Sequence, residues 1–295
     1  MTINTRVTLL AACATYSKRT DLTAEWPDYL TLAEDRIAQW VRVRAQESQA
    51  RLIVKAETNV TSVGGAANAI TLSPTTAVTS YAIGDAYSFT AIATNTGATT
   101  LLVSLLAAQS VKQSFSGTKA ALSGGEIISG ASYRVYHDGT DFLLSPASAV
   151  LLPTDFLEFR SDYVSSNSKL IQFTDAQNLW SRLVTNEVGS PRFAAIEGDW
   201  LCIAPKADST YFIPIDYYRR FAALTADNDT NWLLTSARGI YLFACLLEAA
   251  QAKKDFQAAL GWSTRFDEAV EAVNRNDKRA RYAPGTAVRS EVPCT

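Results

Sequence analysis

Histidine is almost absent from this chain, whose 295 residues contain a single one, His137. The four cysteines, Cys13, Cys202, Cys245 and Cys294, lie far apart and form no Cys-x-x-Cys pair. Zinc sites of histidine and cysteine need about four such ligands at short spacings, so the composition argues against one. The cysteines are expected to be reduced, with Cys202 and Cys245 buried as small apolar side chains.

Signatures of catalysis are also missing. No GxxxxGK[ST] or GxGxxG phosphate loop occurs, and no GxSxG elbow accompanies the single histidine. One metal candidate remains, His137 beside Asp138 and Asp141, but Asp138-Gly139 is better explained as a hairpin turn. The sequence therefore predicts no enzymatic activity, no metal and no cofactor.

Neither a strong net charge nor a long apolar run is present. A formal net charge of -2 at pH 7 creates no field that would gather nucleic acid over the whole surface, so anion binding must be local. No apolar run approaches the ~20 residues that cross a membrane. Residues 9–13 resemble a lipoprotein processing site, but the apolar run of residues 7–12 is short and a first helix is the better interpretation. No membrane contact is predicted.

The distribution of charge divides the chain into two kinds of surface. Residues 56–150 contain 8 charged side chains among 95, while the other 200 residues carry the remaining 48 of 56. A change of composition of this size is typical of domain boundaries. The sequence predicts a discontinuous domain of residues 1–55 and 151–295 and an inserted all-β domain of residues 56–150.

The flanking portions show helical periodicity. One apolar stripe predicts a helix near residues 30–44, and two more predict a helical hairpin that turns at residues 253–255. The three stripes are Leu30, Ala33, Ile37, Trp40 and Val41, continued at the same spacing by the charged Arg44; Ile240, Phe243, Ala244 and Leu247; and Ala259, Trp262, Phe266, Ala269, Val270 and Val273.

Strand patterns lie between these helices. Residues 157–164, 169–173, 199–205 and 211–218 read as strands of a small sheet packed on the helices. The predicted fold class is α+β, a helical bundle or hairpin domain with a small antiparallel sheet, plus an inserted all-β domain that is sandwich-like or barrel-like. Residues 282–295 carry two prolines and no helical pattern, which predicts an extended arm.

The low-charge segment predicts hairpins. Residues 86–105 place two β-rich runs around Asn95-Thr96-Gly97, and residues 132–144 place two more around Asp138-Gly139. Its aromatic side chains could form the core or line a sugar-binding face. They are Tyr81, Tyr87, Phe89, Tyr133, Tyr136 and Phe142.

Two clusters are candidates for function. In TYFIPIDYYRRFAAL, residues 210–224, side chains alternate as in a half-buried strand, so Arg219 and Arg220 are interpreted as partly solvated charges at a strand end. A second cluster is basic and lies near the predicted C-terminal end of the last helix, where cations interact favourably with the helix dipole. It consists of Arg275, Lys278, Arg279 and Arg281.

Several stretches resemble the phage adaptor family, whose members join the portal of a tailed-phage head to the next ring of the neck. They are DLTAEWPDYLTLAEDRIAQWVRVR (21–44), LPTDFLEFRSDYV (152–164), YYRRFAALTADNDTNWLLTSARGIYLFACLLEAAQAKKD (217–255) and WSTRFDEAVEAVNRNDKRARY (262–282). The resemblance covers residues 1–55 and 151–295.

The resemblance implies a structural virion protein. Family members form a ring, commonly of twelve copies, on the portal, with helices around a DNA channel and a C-terminal arm on the portal. It implies portal docking by Arg275, Lys278, Arg279, Arg281, Tyr282 and Arg289. It implies scaffold or inter-subunit roles for Tyr217, Tyr218, Arg219 and Arg220.

The expected location is the neck of the virion, after assembly in the host cytoplasm. A downstream neck or tail protein, either a stopper or a tail terminator, is the expected partner on the far face. Genomic DNA would pass through the channel without sequence-specific binding.

The inserted segment departs from the simplest family members. Its stretches GDAYSFTAIATNTGATTLLV and YRVYHDGTDFLL are similar to small β modules of phage tail and fibre proteins, which implies contacts with fibres or the capsid. The alternative function is therefore a fibre-anchoring or receptor- or glycan-binding tail protein that acts through residues 56–150.

Overall fold

The computed structural model describes residues 2–19, 21–161, 163–166, 169–184 and 187–281. Across these ranges the fold is mostly β, with three sheets and six α-helices. The helices are α1 (Arg6–Ser17), α2 (Trp26–Trp40), α3 (Ala176–Leu183), α4 (Trp232–Ser236), α5 (Arg238–Ala252) and α6 (Phe256–Arg281). The strands are β1 (Glu47–Val54), β2 (Thr58–Ala66), β3 (Ala69–Pro74), β4 (Ala86–Thr90), β5 (Thr99–Val103), β6 (Gln109–Phe115), β7 (Thr118–Ala121), β8 (Ser132–His137), β9 (Phe142–Ser145), β10 (Ala149–Leu151), β11 (Phe156–Phe159), β12 (Tyr163–Ser166), β13 (Lys169–Phe173), β14 (Phe193–Glu197), β15 (Trp200–Ala204) and β16 (Tyr211–Arg219).

The chain separates into two compact units. The helical unit consists of the residues up to Glu47 and those from Tyr218 onward, and it holds every described α-helix except α3. The β unit runs from Ser48 to Tyr217 and holds the bulk of all three sheets. Whether residues 56–150 fold as an independent inserted domain stays a prediction.

In the helical unit, α5 is the central helix. Apolar residues cover most of its circumference, and nine of its fifteen residues are buried. A helix that is apolar nearly all round must be covered on several sides, and α1, α2, α4 and α6 pack against it. The stripe of α6 that contains Phe266 and Val270 faces this core, so the predicted helical hairpin is confirmed.

The β unit contains two smaller sheets beside the large one. The three-stranded sheet has the order β1-β16-β11, and the five-stranded sheet has the order β10-β15-β14-β13-β12. Every residue of β15 is buried, and Leu201 and Ile203 belong to the core that these sheets enclose. β16 alternates as predicted, with Ile213 and Ile215 buried and Asp216 exposed.

The large sheet curls into a near-closed barrel. Its strand order is β5-β3-β2-β4-β8-β9-β6-β7, and an additional pairing of β5 with β6 brings its two sides together. Closure leaves fewer free edges than an open sheet of the same length. Its interior is filled by alternate side chains, among them Leu72, Leu101, Val135 and Phe142, each fully buried.

The predicted fold class was wrong. Residues 151–217 do not form a small sheet packed on a helical domain, because their strands cluster with residues 48–150 in one β unit. β10 pairs with β15 across about 50 residues of sequence, with Val150 opposite Leu201. The density of charged residues changes near residue 150, but β10 spans that position and pairs with β15 within the same unit.

Candidate interaction surface

Three cations of the predicted docking cluster lie together on the last turns of α6. Arg275, Lys278 and Arg279 are exposed, and no hydrogen bond or ion pair joins their side chains to another described residue. Arg281 ends α6, but its side chain, like Tyr282 and Arg289, lies outside the described residues. The described part of the cluster is therefore a cationic surface without internal neutralisation.

The end of α6 is held against the end of α2. The Asn274 side chain donates a hydrogen bond of 3.1 Å to the carbonyl oxygen of Trp40 and accepts one of 3.2 Å from the amide of Arg42. Asp277 accepts a charge-assisted hydrogen bond of 3.1 Å from the Arg44 guanidinium. These contacts hold the last turns of α6 on the side next to the exposed cations, so the cations are presented on an anchored helix.

Trp40 is the residue that the sequence patterns missed. It was assigned to the buried stripe of α2, but 60% of its surface is exposed, whereas Ile37 one turn earlier is buried. α2 ends at Trp40, and Val41 is already extended. We call Trp40, Arg275, Lys278 and Arg279 the α6-end surface. Tryptophan and arginine are among the residue types most enriched in the energetically dominant positions of protein interfaces.

The predicted scaffold cluster is split between burial and solvent. Tyr217 is buried, donates a hydrogen bond of 2.9 Å to Asp155 and packs against the Phe156 ring. Tyr218 is half-buried, and Arg219 and Arg220 are exposed. Packing within the β unit explains Tyr217, while an inter-subunit role for this cluster stays a prediction.

The candidate metal ligands and most of the candidate sugar-binding aromatic side chains are buried or bonded to other residues of the β unit. His137 is buried, with a hydrogen bond of 2.7 Å between its Nε2 and the Gln109 side chain, and Asp141 pairs with Lys112 at 2.9 Å. Nowhere in the described ranges do three His, Cys, Asp or Glu side chains converge as metal ligands would. Four of the candidate sugar-binding aromatics are buried: Tyr87, Phe89, Tyr136 and Phe142.

A pH effect follows from the hairpin turn at Asp138. Its carboxylate accepts hydrogen bonds of 2.9 Å from the amides of Thr140 and Asp141 and pairs with Lys119. Burial alone would raise the pKa of Asp138, but these donors outweigh burial and hold the pKa at about 2, below the ordinary value of 3.8. The pKa is depressed in the folded state, so its stabilisation is complete above about pH 4 and is lost as the pH falls towards 2.

We therefore expect Asp138→Asn to flatten the acid limb of the stability curve. Thermal midpoints between pH 6 and pH 2 should fall less steeply for Asp138→Asn than for the wild type, because the variant has no carboxylate to protonate there. Subtracting the two curves removes the contribution of the other carboxylates. Parallel curves would contradict the effect.

Comparison with known proteins identifies the class. The helical unit bears an exposed surface of cations and an aromatic side chain. The described part of the β unit shows no evident catalytic constellation. Residues 138–289 match the family model described as SU10 adaptor protein, which is just over half of the 295 residues. The chain belongs to the SU10 adaptor protein family.

Membership in this family indicates a structural adaptor of a bacteriophage particle, which contacts other structural proteins of the virion. No curated protein matches the chain. No helix in the described part of the chain is both long and apolar enough to cross a bilayer.

Proposed function

We propose that this protein is the adaptor of the head–tail connector. It forms a ring on the portal, with twelve copies to match a twelve-fold portal, and it extends the DNA channel. The opposite face of the ring receives a stopper or tail terminator. Family membership supports the adaptor role, and the α6-end surface supports the portal as the partner at the C-terminal end of α6.

The observation that carries this proposal is the uncompensated charge of the α6-end surface. Cations at a helix C-terminus interact favourably with the helix dipole, and this alone would explain one or two of them. Three exposed cations without a carboxylate partner among the described residues, together with an exposed tryptophan whose carbonyl is bonded to Asn274 of the same helix end, exceed that requirement. An acidic protein surface with an apolar recess would satisfy both features.

The charge of the whole chain is compatible with a channel component. A formal net charge of -2 avoids the strong positive field that would hold DNA by its phosphates and retard its passage. Binding of the portal by a local cationic surface does not require such a field.

Electron microscopy of particles made without this gene product tests the proposal. If the protein is the neck adaptor, its loss yields tailless heads that leak or lack DNA. Complete tailed particles that fail to adsorb, or that lack fibres, would overturn the neck assignment. They would favour the alternative in which residues 56–150 anchor fibres or bind a receptor or glycan.

Trp40 provides a sharper test within the same surface. We expect Trp40→Ala to weaken binding to the cognate portal ring by about 10- to 100-fold, because buried tryptophans at interfaces commonly carry about 2 kcal/mol or more. Thermal unfolding should change little, since 60% of this side chain is exposed in the free chain. Biolayer interferometry on immobilised portal rings measures the change.

Trp232→Ala is the matched control, because Trp232 is a second partly exposed tryptophan of the helical unit and lies outside the α6-end surface. Equal losses of affinity in the two variants would contradict a specific role for Trp40.

A further inference from the structure

Helix α6 carries two unlike surfaces on opposite sides near its start. On one side Phe256 and Leu260 are 75% and 72% exposed. On the other side Ala258 and Trp262 line an open groove of about 280 Å³. At about 100° per residue, the centres of the two sides are separated by about 160° around the helix axis. A single copy therefore cannot cover its own exposed side chains with its own groove.

The groove is built from three parts of the helical unit. Its walls come from the end of α1 and the loop that follows, from the second half of α5 and from the start of α6. The apolar lining includes Tyr16, Leu22, Leu246, Ala249, Ala250 and Trp262. More than half of the Tyr16 surface is exposed at its edge. An apolar recess of this size has room for one or two large side chains.

Charges around the two sides are complementary. The groove is lined by Arg19 and Lys253, which already pair with Asp21 and Glu25. The Arg265 guanidinium lies over the ring of the groove residue Trp262, at 5.1 Å from its centroid. No carboxylate of the described chain pairs with Arg265.

The side of α6 that carries Phe256 and Leu260 continues with Asp267 and Glu271, both exposed and without a cationic partner in the described ranges. Asp255 also borders the groove, but its carboxylate caps α6 by accepting from the amide of Ala258 at 3.0 Å. Each side therefore offers the charge that the other leaves unpaired.

We propose that these two sides are the contact between neighbouring copies of this chain. The apolar flank, defined as Phe256, Leu260, Asp267 and Glu271, docks into the groove of the next copy, with its carboxylates facing Arg265. Unlike surfaces on opposite sides of one subunit form a head-to-tail contact, which closes into a ring when the rotation per subunit allows it. The inference rests on the proposed ring and identifies the residues that would hold it together.

Site-directed cross-linking tests the contact in the full chain. The double variant Tyr16→Cys/Leu260→Cys, made with Cys294→Ser, is assembled on cognate portal rings and treated with a short bismaleimide. The three described native cysteines are buried and should not react. The double variant should give a ladder of covalent oligomers on a denaturing gel, while each single variant should stay monomeric.

The outcomes separate this contact from the proposed function. Portal-bound rings that yield no ladder would overturn the contact and leave the adaptor role intact. Dimers from Leu260→Cys alone would show a symmetric contact instead and would also overturn it. A ladder at high protein concentration without any portal binding would support the contact and count against the portal assignment. Failure to assemble under either condition would overturn both.

Charge exchange provides an independent readout. Glu271→Arg should lower the yield of rings at a fixed concentration by about tenfold, and adding Arg265→Glu should restore most of that yield. Asp35→Arg is the matched control, because it also replaces an exposed carboxylate by a guanidinium, on α2 and outside both the groove and the apolar flank. Equal losses for Asp35→Arg and Glu271→Arg would contradict the pairing.

Discussion

Reversing the three described cations of the α6-end surface, by Arg275→Glu, Lys278→Glu and Arg279→Glu, is expected to weaken binding to the cognate portal ring by at least about 100-fold. Each exposed charge contact contributes on the order of 1 kcal/mol, and reversal replaces attraction by repulsion against an acidic partner. The association rate should fall more than the dissociation rate rises, since steering by exposed charge acts on encounter. Binding kinetics of the full-length variant on immobilised portal rings give both the association and the dissociation rate.

The same experiment distinguishes docking from a purely local role of these cations. If Arg275, Lys278 and Arg279 only complement the helix dipole, the triple variant loses up to about 1 kcal/mol of helix stability but keeps its affinity for the portal. A control with the same net charge reverses three exposed cations elsewhere: Lys18→Glu, Arg192→Glu and Arg238→Glu. An equal loss of binding in this control would attribute the effect to total charge.

The second large effect concerns a buried ion pair in the β unit. Arg134 in β8 is buried and pairs with Glu57 at 2.7 Å, and its guanidinium also donates to the carbonyl oxygens of Pro146 and Ala149. Glu57→Ala is expected to lower the free energy of unfolding of this unit by about 3 kcal/mol, because it leaves a buried guanidinium without its counter-charge. Burial already lowers the pKa of Arg134, which shows the direction of this penalty.

Urea unfolding, monitored by amide hydrogen exchange in peptides from β8 to β10, measures the loss of unfolding free energy in this part of the β unit. Glu57→Gln keeps a hydrogen-bond acceptor without the charge and should fall between the wild type and Glu57→Ala. The exposed pair of Arg19 and Asp21 is the comparison, and Asp21→Ala should barely move the midpoint, because water already solvates both partners. A small effect of Glu57→Ala would mean that water or a rotated side chain compensates Arg134.

Hairpins show where sequence reasoning succeeded and where it failed. Around Asp138-Gly139 the prediction is confirmed, since β8 and β9 pair with His137 opposite Phe142. Around Asn95-Thr96-Gly97 both strands exist, but β4 pairs with β2 and β8 while β5 pairs with β3 and β6. A short loop, such as the four residues between His137 and Phe142, imposes pairing locally, whereas the longer loop between β4 and β5 leaves each strand free to pair with distant strands.

The candidate surfaces also contain features that the sequence could predict and features that it could not. The basic end of α6 could be read from the sequence, because a cluster of cations at the end of one helix needs no partner to be recognised. The exposure of Trp40 could not, since its spacing continues the apolar stripe of α2 and only the packing at the helix end leaves it uncovered. The groove could not be predicted either, because Tyr16 and Trp262, which both line it, lie far apart in the sequence.

The sequence by itself determined the helices of the α5–α6 hairpin, four strands of the barrel (β4, β5, β8 and β9), the absence of catalytic motifs and the family resemblance. These depend on local periodicity and on residue types, which are written in the order of the amino acids. Only the tertiary structure decided that residues 48–217 form one β unit and that Trp40 is exposed. Strand pairing and burial depend on the free energy of contacts between distant segments, and a strand's own pattern is compatible with many partners.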